Sequence, residues 1–391
     1  MNKNDLMNAK ERFIKTLERG KADRMPVTTH HLMPSFLNKY MDSISNIEFF
    51  DFLGLDPIDW IMAYNCSFDK GEYFDPEHTK MGFLEARRIC SDNWQIKIEP
   101  LDHPKYATQH FKIITPEKIL SMVLQSDEHT TWVIDHLVKE KSDIDIISKY
   151  MTYPLCDVEE INKAADEFGN RGLIRGHIST FEGFGQPGCW QDAACLYGIE
   201  KLIFATFEDP EWVHAFLNVL KERKKVYINS LSGAKYDLLE LGGGDASTTV
   251  ISPDIFNDFI APYDAELIEA AHQAGQRIVY HTCGGMMPIL EDIAAMKPDA
   301  METFTPPAMG GDANLKEAKR RIGDKVCMIG GFNQFYFFTK CSERETRREV
   351  RRCFEEAGED GGFILSPSDH FFTADINLLK AYADEALKCV Y

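Results

Sequence analysis

The sequence predicts an α/β protein, a (β/α)8 TIM-like barrel with an N-terminal β-rich insertion. Three observations predict it. From about residue 150 onward, short β-branched or aromatic runs alternate with segments of helical spacing; that alternation implies parallel strands joined by right-handed crossovers. Counting the early strands as well brings the total to about eight, which favours a barrel over an open sheet. Between about 90 and 140 the pattern changes to period-two alternation with short connections, which implies antiparallel strands. All of 1–391 is read as one barrel domain, with a β-rich subdomain at about 90–140. Length alone would suggest more than one domain, but α/β barrels of this size often form one.

The elements follow in order. Residues 5–20 place Leu6, Met7, Phe13, Ile14 and Leu17 near i, i+3, i+4 spacing, an amphipathic helix stopped near Gly20. Residues 24–29 read as a strand with His30 and His31 at its end, and 57–61 as another short one. In the insertion Trp94, Ile96 and Ile98 alternate with polar residues. Phe111, Ile113 and Thr115 continue that pattern after a polar turn, and 130–137 reads as a further strand. Six more strands are expected at 172–179, 236–241, 277–281, 300–304, 325–330 and 362–366, with helices in the gaps. Ser252-Pro253-Asp254 opens a long amphipathic segment that ends at Gly275. Ser342 with Glu345 forms a capping box ahead of Val350 and Phe354.

Bulk properties narrow the function. Residues are 44% hydrophobic and 27% charged, an ordinary soluble balance. No stretch approaches the ~20 apolar residues that span a bilayer, so no membrane partner is expected. A net charge of −19 argues against nucleic acid as a partner, because phosphate binding needs a basic surface. It suits docking against a less acidic protein. Residues 1–5 lead into a polar helix, so no secretory leader is expected. The ten cysteines are scattered and none forms CxxC. A reduced, cytoplasmic location is the natural reading. Self-association into a homo-oligomer is compatible with the chain.

The chemistry concentrates at strand ends. His281-Thr282-Cys283-Gly284 directly follows the run at 276–280. Side chains alternate along a strand, so an imidazole and a thiol two residues apart can point the same way. That pair suits a borderline cation such as zinc. In barrels the active site lies at the carboxyl ends of the strands. There the sequence places His30 and His31; His177 and Ser179; Glu240 with Gly242, Gly243, Gly244 and Asp245; Glu302; Asn333; and Asp369 with His370. Plainer readings stand beside these. His30 and His31 can bond backbone at a barrel mouth, and His177 can be a satisfied core histidine. The glycine run is too short for a phosphate loop and instead lets the backbone bend near a ligand. Glu240 and Glu302 can orient a ligating histidine or pair with arginine.

The order of motifs resembles the uroporphyrinogen decarboxylase superfamily over nearly the whole chain. The pieces are Ala9-Lys10-Glu11-Arg12-Phe13 with Asp23-Arg24-Met25-Pro26-Val27; Ser252-Pro253 with Phe259-Ile260-Ala261-Pro262-Tyr263; His281-Thr282-Cys283-Gly284; Gly330-Gly331-Phe332-Asn333; and Gly362-Phe363-Ile364-Leu365-Ser366-Pro367-Ser368. True decarboxylases carry arginines after the first strand, where this chain has Thr28-Thr29-His30-His31-Leu32-Met33. A polycarboxylate substrate needs cationic partners. The resemblance is closer to the zinc methyltransferases of corrinoid systems, such as methylcobalamin:coenzyme M methyltransferase and related O-demethylases. Those carry histidine-x-cysteine, matched by His281 and Cys283, and a later cysteine, where this chain has Asp369 and His370.

The resemblance implies a zinc-dependent, corrinoid-linked methyltransferase acting on a small-molecule methyl donor or acceptor. Zinc would be held by His281, Cys283 and Asp369 or His370. Methylcobalamin or cob(I)alamin would sit on a partner corrinoid protein. Asp369, His370 and His30 are assigned catalytic roles. His31, Glu240, Asp245, Asn333 and Phe371 are assigned to substrate; Trp190, Phe332, Phe371 and Phe372 read either as an apolar wall for a methoxylated ring or as ordinary core. Two alternatives remain: a metal-free decarboxylase-like lyase using Asp369, His370 or His30 as acid or base, and a non-catalytic barrel that binds a tetrapyrrole or corrinoid.

Overall fold

Seven parallel strands frame the molecule in the computed structural model, which describes residues 6–80, 85–181 and 185–391. The reading of residues 1–5 lies outside them. In sheet order, which is also chain order, the strands are Ile58–Trp60, Leu173–His177, Leu238–Gly242, Ile278–His281, Ala300–Thr303, Cys327–Phe332 and Phe363–Pro367. Every neighbouring pair is parallel. The last five strands are buried along their whole length; helices cover one face and side chains fill the other, so their sequences read as nearly continuous apolar runs.

The expected first strand at 24–29 is an extended segment with isolated bridges. Val27 bridges Leu365 in parallel, and Arg24 bridges Val390. Thr28 N donates to Leu365 O at 2.9 Å, and Asp56 N donates to Val27 O at 2.8 Å. The segment thus lies between the first and last strands of the sheet. It forms no continuous ladder because Pro26 lacks a donor and the Val27 N–H is taken by the Asp56 carboxylate at 2.9 Å. The expected eight-stranded closure is corrected to a seven-stranded parallel sheet plus this segment.

The barrel is plugged at its amino end by Phe13, Leu17, Ile58, Leu173, Leu238, Val279, Ala300, Cys327, Ile329 and Ile364. Phe13 and Leu17 come from the helix Ala9–Leu17, whose Asn8 and Glu11 complete a capping box. The Ser342–Glu345 box is also present, on the helix Glu343–Cys353. The segment opened by Ser252 is two helices, Pro253–Phe259 and Ala261–Gln273, rather than one. Pro262 interrupts the ladder because it has no N–H to donate.

The insertion is a four-stranded antiparallel meander: Gln95–Leu101, Ala107–Ile114, Ile119–Ser126 and Thr131–Asp135. The strand Ile119–Ser126 was not foreseen. It buries Leu120, Met122 and Leu124 on one face while Ile119 stands exposed, so apolar residues occur on both sides and alternation is obscured. Trp94, Phe111, Ile113 and Met122 pack in the same apolar cluster as barrel residues. No helix among the described residues is long and apolar enough to cross a membrane.

Candidate functional site

The register builds the site. His281 pairs with Gly242 on one side and with Glu302 on the other. Residues in register on parallel strands project their side chains to the same face. Gly242 adopts φ 106°, and a Cβ there would fall 2.3 Å from the His281 carbonyl oxygen. At Gly242 the missing side chain thus serves the close approach of two strands.

Two residues beyond the strand, Cys283 Sγ comes to 3.0 Å from His281 Nε2. The thiol also reaches Asp369 Oδ2 at 3.6 Å. The other carboxylate oxygen, Asp369 Oδ1, accepts from the His370 backbone N–H at 2.7 Å and faces His370 Nδ1 at 2.8 Å. Residues 281–283 and 369–370 are thus brought together from two separate strand ends.

Beneath them lies a buried charge network. His281 Nδ1 faces Glu302 Oε1 at 3.1 Å. Arg175 donates to both Glu302 oxygens, at 3.1 and 3.2 Å, and sits 3.5 Å from Glu240 Oε2. Its guanidinium lies 4.3 Å from the centre of the Trp60 ring. Glu302 therefore fills both roles left open for it, orienting a histidine and pairing with an arginine. Arg175 was missed from sequence. The available signal was an arginine inside the buried run Leu173-Ile174-Arg175-Gly176-His177, since a buried cation requires carboxylate partners from neighbouring strands.

Burial and neighbours set the ionisation. Burial works upward on Glu302, but Arg175, His30 and His281 hold it well below the usual carboxylate range. Burial pushes Glu240 up to about 7 against the pull of His281. Burial opposes charge on His281, yet Cys283 and Glu240 beside it hold its imidazole well above the ordinary value. Burial raises the Cys283 thiol, with His281 opposing. Burial drives His30 down to about 3 and His31 well below its ordinary value, so both imidazoles are neutral at pH 7.

A cavity of about 1010 Å³ opens above this floor. His30, His31, Glu240, His281, Asp369 and His370 face it from the barrel. Leu124, Trp132 and Val133 face it from the insertion. His129 joins the two bodies, its ring 4.6 Å from that of Phe372. Asp245 lines the wall, holding Gln191 Nε2 at 2.8 Å, and His177 lines it with Nδ1 2.9 Å from the Ile178 carbonyl. Two assigned substrate residues stand apart from it. Asn333 caps the short helix Gln334–Phe337 by accepting from Tyr336 N at 3.1 Å. Phe371 packs in the core, 4.9 Å from Phe36 and 5.2 Å from Phe338 between ring centres. Neither is among the cavity-lining residues, nor are the buried Trp190 and Phe332.

His281 Nε2 and Cys283 Sγ form a nitrogen–sulfur pair of the kind a borderline cation takes, with Asp369 beside the sulfur only. His281 also groups with His30, Glu240 and Glu302, whose donor atoms all lie within 4.8 Å of one another. The cavity offers a polyanion little. Arg88 is paired with Asp75 and Glu85, each at 3.1 Å, and Arg223 donates to the Thr152 and Thr180 carbonyls at 3.0 and 2.6 Å.

Comparison with known proteins agrees with the architecture. The model of the family described as Uroporphyrinogen decarboxylase (URO-D) matches residues 184–379. Over 210 residues the chain is 25% identical to the uroporphyrinogen decarboxylase of Alcanivorax borkumensis, covering 50% of this chain and 55% of the relative. It is 28% identical over 171 residues to that of Aliivibrio salmonicida, covering 42% and 43%. The chain thus spans about half the length of the curated relatives it matches. Among solved structures it is similar to a methyltransferase from Methanosarcina mazei, with TM-score 0.63, 14% identity and coverage of 98% and 99% of the two chains. At that identity the likeness establishes a shared fold.

Proposed function

This chain belongs to the uroporphyrinogen decarboxylase family, and we propose that it is a zinc-dependent methyltransferase rather than a decarboxylase. It moves a methyl group between a small methylated or thiol substrate and a corrinoid carried by a partner protein. The observation that carries this reading is the convergence of His281 Nε2 and Cys283 Sγ at 3.0 Å, with Asp369 Oδ2 on the same sulfur. His281, Cys283 and Asp369 would hold the zinc. Asp369 is preferred to His370 because its oxygen already faces the sulfur, while His370 Nδ1 is turned to the other carboxylate oxygen. Bound there, zinc supplies Lewis-acid activation of a thiol or of a methyl-bearing oxygen.

The chain's own residues do the rest. Glu302 accepts the Nδ1 proton of His281 and so leaves Nε2 facing the cysteine. Arg175 grips both oxygens of Glu302, which fixes that carboxylate and offsets its buried charge. Leu124, Trp132 and Val133 of the insertion wall one side of the cavity beside the barrel residues. A corrinoid on the partner protein would supply or accept the methyl group as methylcobalamin or cob(I)alamin, and the cavity beside His281 and Asp369 would hold the small substrate whose heteroatom loses or gains the matching proton. The pairing of Arg88 with Asp75 and Glu85 weighs against a polycarboxylate substrate.

The test is metal analysis of the purified protein. It is followed by the visible spectrum of methylcobalamin with candidate thiols, and of cob(I)alamin with candidate methoxy compounds. Cys283→Ser is expected to lose the zinc of this site, and methyl transfer with it. Full zinc retention in that variant would remove Cys283 from the ligand set and overturn the reading.

A further inference from the structure

Three imidazoles crowd the cavity floor beside the proposed zinc ligands; the sequence assigns His30 and His370 to catalysis and His31 to substrate, but the proposed zinc set of His281, Cys283 and Asp369 uses none of them. His30 and His31 follow the extended segment near the amino terminus, and His370 follows the last strand. Their ring centres lie 4.4 Å apart for His30 and His31, 5.1 Å for His30 and His370, and 5.0 Å for His31 and His370. One ligand nitrogen from each lies within 4.8 Å of the others.

We propose that His30, His31 and His370 form a second cation site, distinct from His281, Cys283 and Asp369. His30 and His31 are buried and His370 is half-buried. His370 is already held as metal-bound histidines are: its Nδ1 faces the Asp369 carboxylate at 2.8 Å, which leaves Nε2 as the ligand atom. His30 approaches the two glutamates only at 3.9 and 4.0 Å, beyond hydrogen-bond distance, so its nitrogens are not committed to them. The Trp60 ring lies 3.9 Å from that of His31 and walls one side of the cluster. Three imidazole nitrogen donors beside the cavity suit a first-row divalent cation such as Zn²⁺, Co²⁺ or Ni²⁺, and disfavour Mg²⁺ or Ca²⁺, which take oxygen ligands.

The two sites adjoin. The His30 and His281 rings stack at 5.3 Å with 25° between planes. Asp369 turns one oxygen to His370 and the other to Cys283, so one carboxylate supports both sites. The inference stands apart from the methyl-transfer reading, because it rests on a different set of donors.

The test is cation stoichiometry of the full chain, stripped with chelator, reloaded with Zn²⁺ and separately with Co²⁺, and counted by elemental analysis. Wild type is expected to hold two cations per chain. His31→Ala and the size-conserving His31→Gln should each hold one and keep the thiolate-to-cobalt charge-transfer band. Cys283→Ser should hold one and lose that band. A single wild-type cation that disappears in Cys283→Ser, a wild-type chain that binds none, or two cations retained in both His31 variants would overturn the second site. A single wild-type cation that survives Cys283→Ser and disappears in the His31 variants would keep this site while removing the zinc of the methyl-transfer reading. If the His31 variants do not fold, His370→Gln serves in their place: it should hold one cation and keep the band, and two cations retained there would overturn the second site.

Discussion

The barrel carries a buried charge cluster at each end, and the two are built to different tolerances. At the amino end, Arg12 reaches Asp23 at 2.7 Å and Asp56 at 2.6 Å, and Arg24 grips both oxygens of Asp56 at 2.8 and 2.9 Å. Asp56 also accepts the Val27 N–H. The two arginines and two aspartates balance in charge, and none of the four lines the large cavity. At the carboxyl end, Arg175 serves two glutamates, one of them only at 3.5 Å, and His30 lies about 4 Å from both. That cluster opens onto the cavity with donors to spare. Closely paired charges suit a clamp, whereas loosely paired ones suit a site awaiting a further cation or substrate. The division matches the general one in such barrels between a stability face and a chemistry face.

If the contrast holds, perturbing each end should change a different observable. The largest effect is expected at the clamp. Asp56→Ala removes the carboxylate that grips Arg24 at both oxygens and that Arg12 shares with Asp23, and should lower unfolding stability by ~3–5 kcal/mol in urea titrations, with zinc affinity of the remaining folded protein unchanged. Glu302→Gln tests the other end. It keeps the side-chain shape but weakens the grip on His281, so zinc affinity should fall roughly 10–100-fold in a chelator competition. Unchanged zinc affinity in Glu302→Gln would mean that both clusters are clamps, and the contrast would fail.

How much of this was legible from sequence follows the same division. The six later strands and the Ser342–Glu345 box were legible because burial and capping leave local marks on residue order. The strand Ile119–Ser126 was not, because its apolar residues occupy both faces. The single segment expected after Ser252 failed at Pro262, a proline that could have been weighed as a break. In the site, the His281–Cys283 pair was legible because period two is a local rule. Arg175 was not, because its partners Glu240 and Glu302 lie 65 and 127 residues away and only the sheet register joins them. Asn333 and Phe371 share strand-end positions with true cavity residues, and sequence alone could not say which way each side chain turns.

Acid titration reaches depressed carboxyls at both ends, and a substitution at Asp23 isolates the clamp's share. Burial works upward on Asp23, but its bonds from Arg12 and the Met7 and Leu6 amides hold it at about 2, below its ordinary 3.8. A depressed carboxyl contributes stability above its unfolded value, and that contribution is lost as pH falls from about 4 towards 2. Asp23→Asn should therefore flatten the acid limb of the stability curve, removing about 2 kcal/mol of pH dependence in that window. An unaltered limb would show that Arg12 is satisfied by Asp56 without it.

The smallest expected effect concerns Asn333, which shares the carboxyl end with the site but is turned to a helix. Its side-chain oxygen accepts from Tyr336 N, so Asn333→Ala should cost about 1 kcal/mol in urea unfolding, the ordinary worth of an N-cap. Asn333→Ser, which can still cap, should recover most of it. Neither variant should shift KM in the methyl-transfer assay, because the side chain is not among those facing the cavity. A raised KM in both variants with stability intact would restore Asn333 to the substrate site, and the open cluster would then extend further around the barrel mouth than the cavity walls indicate.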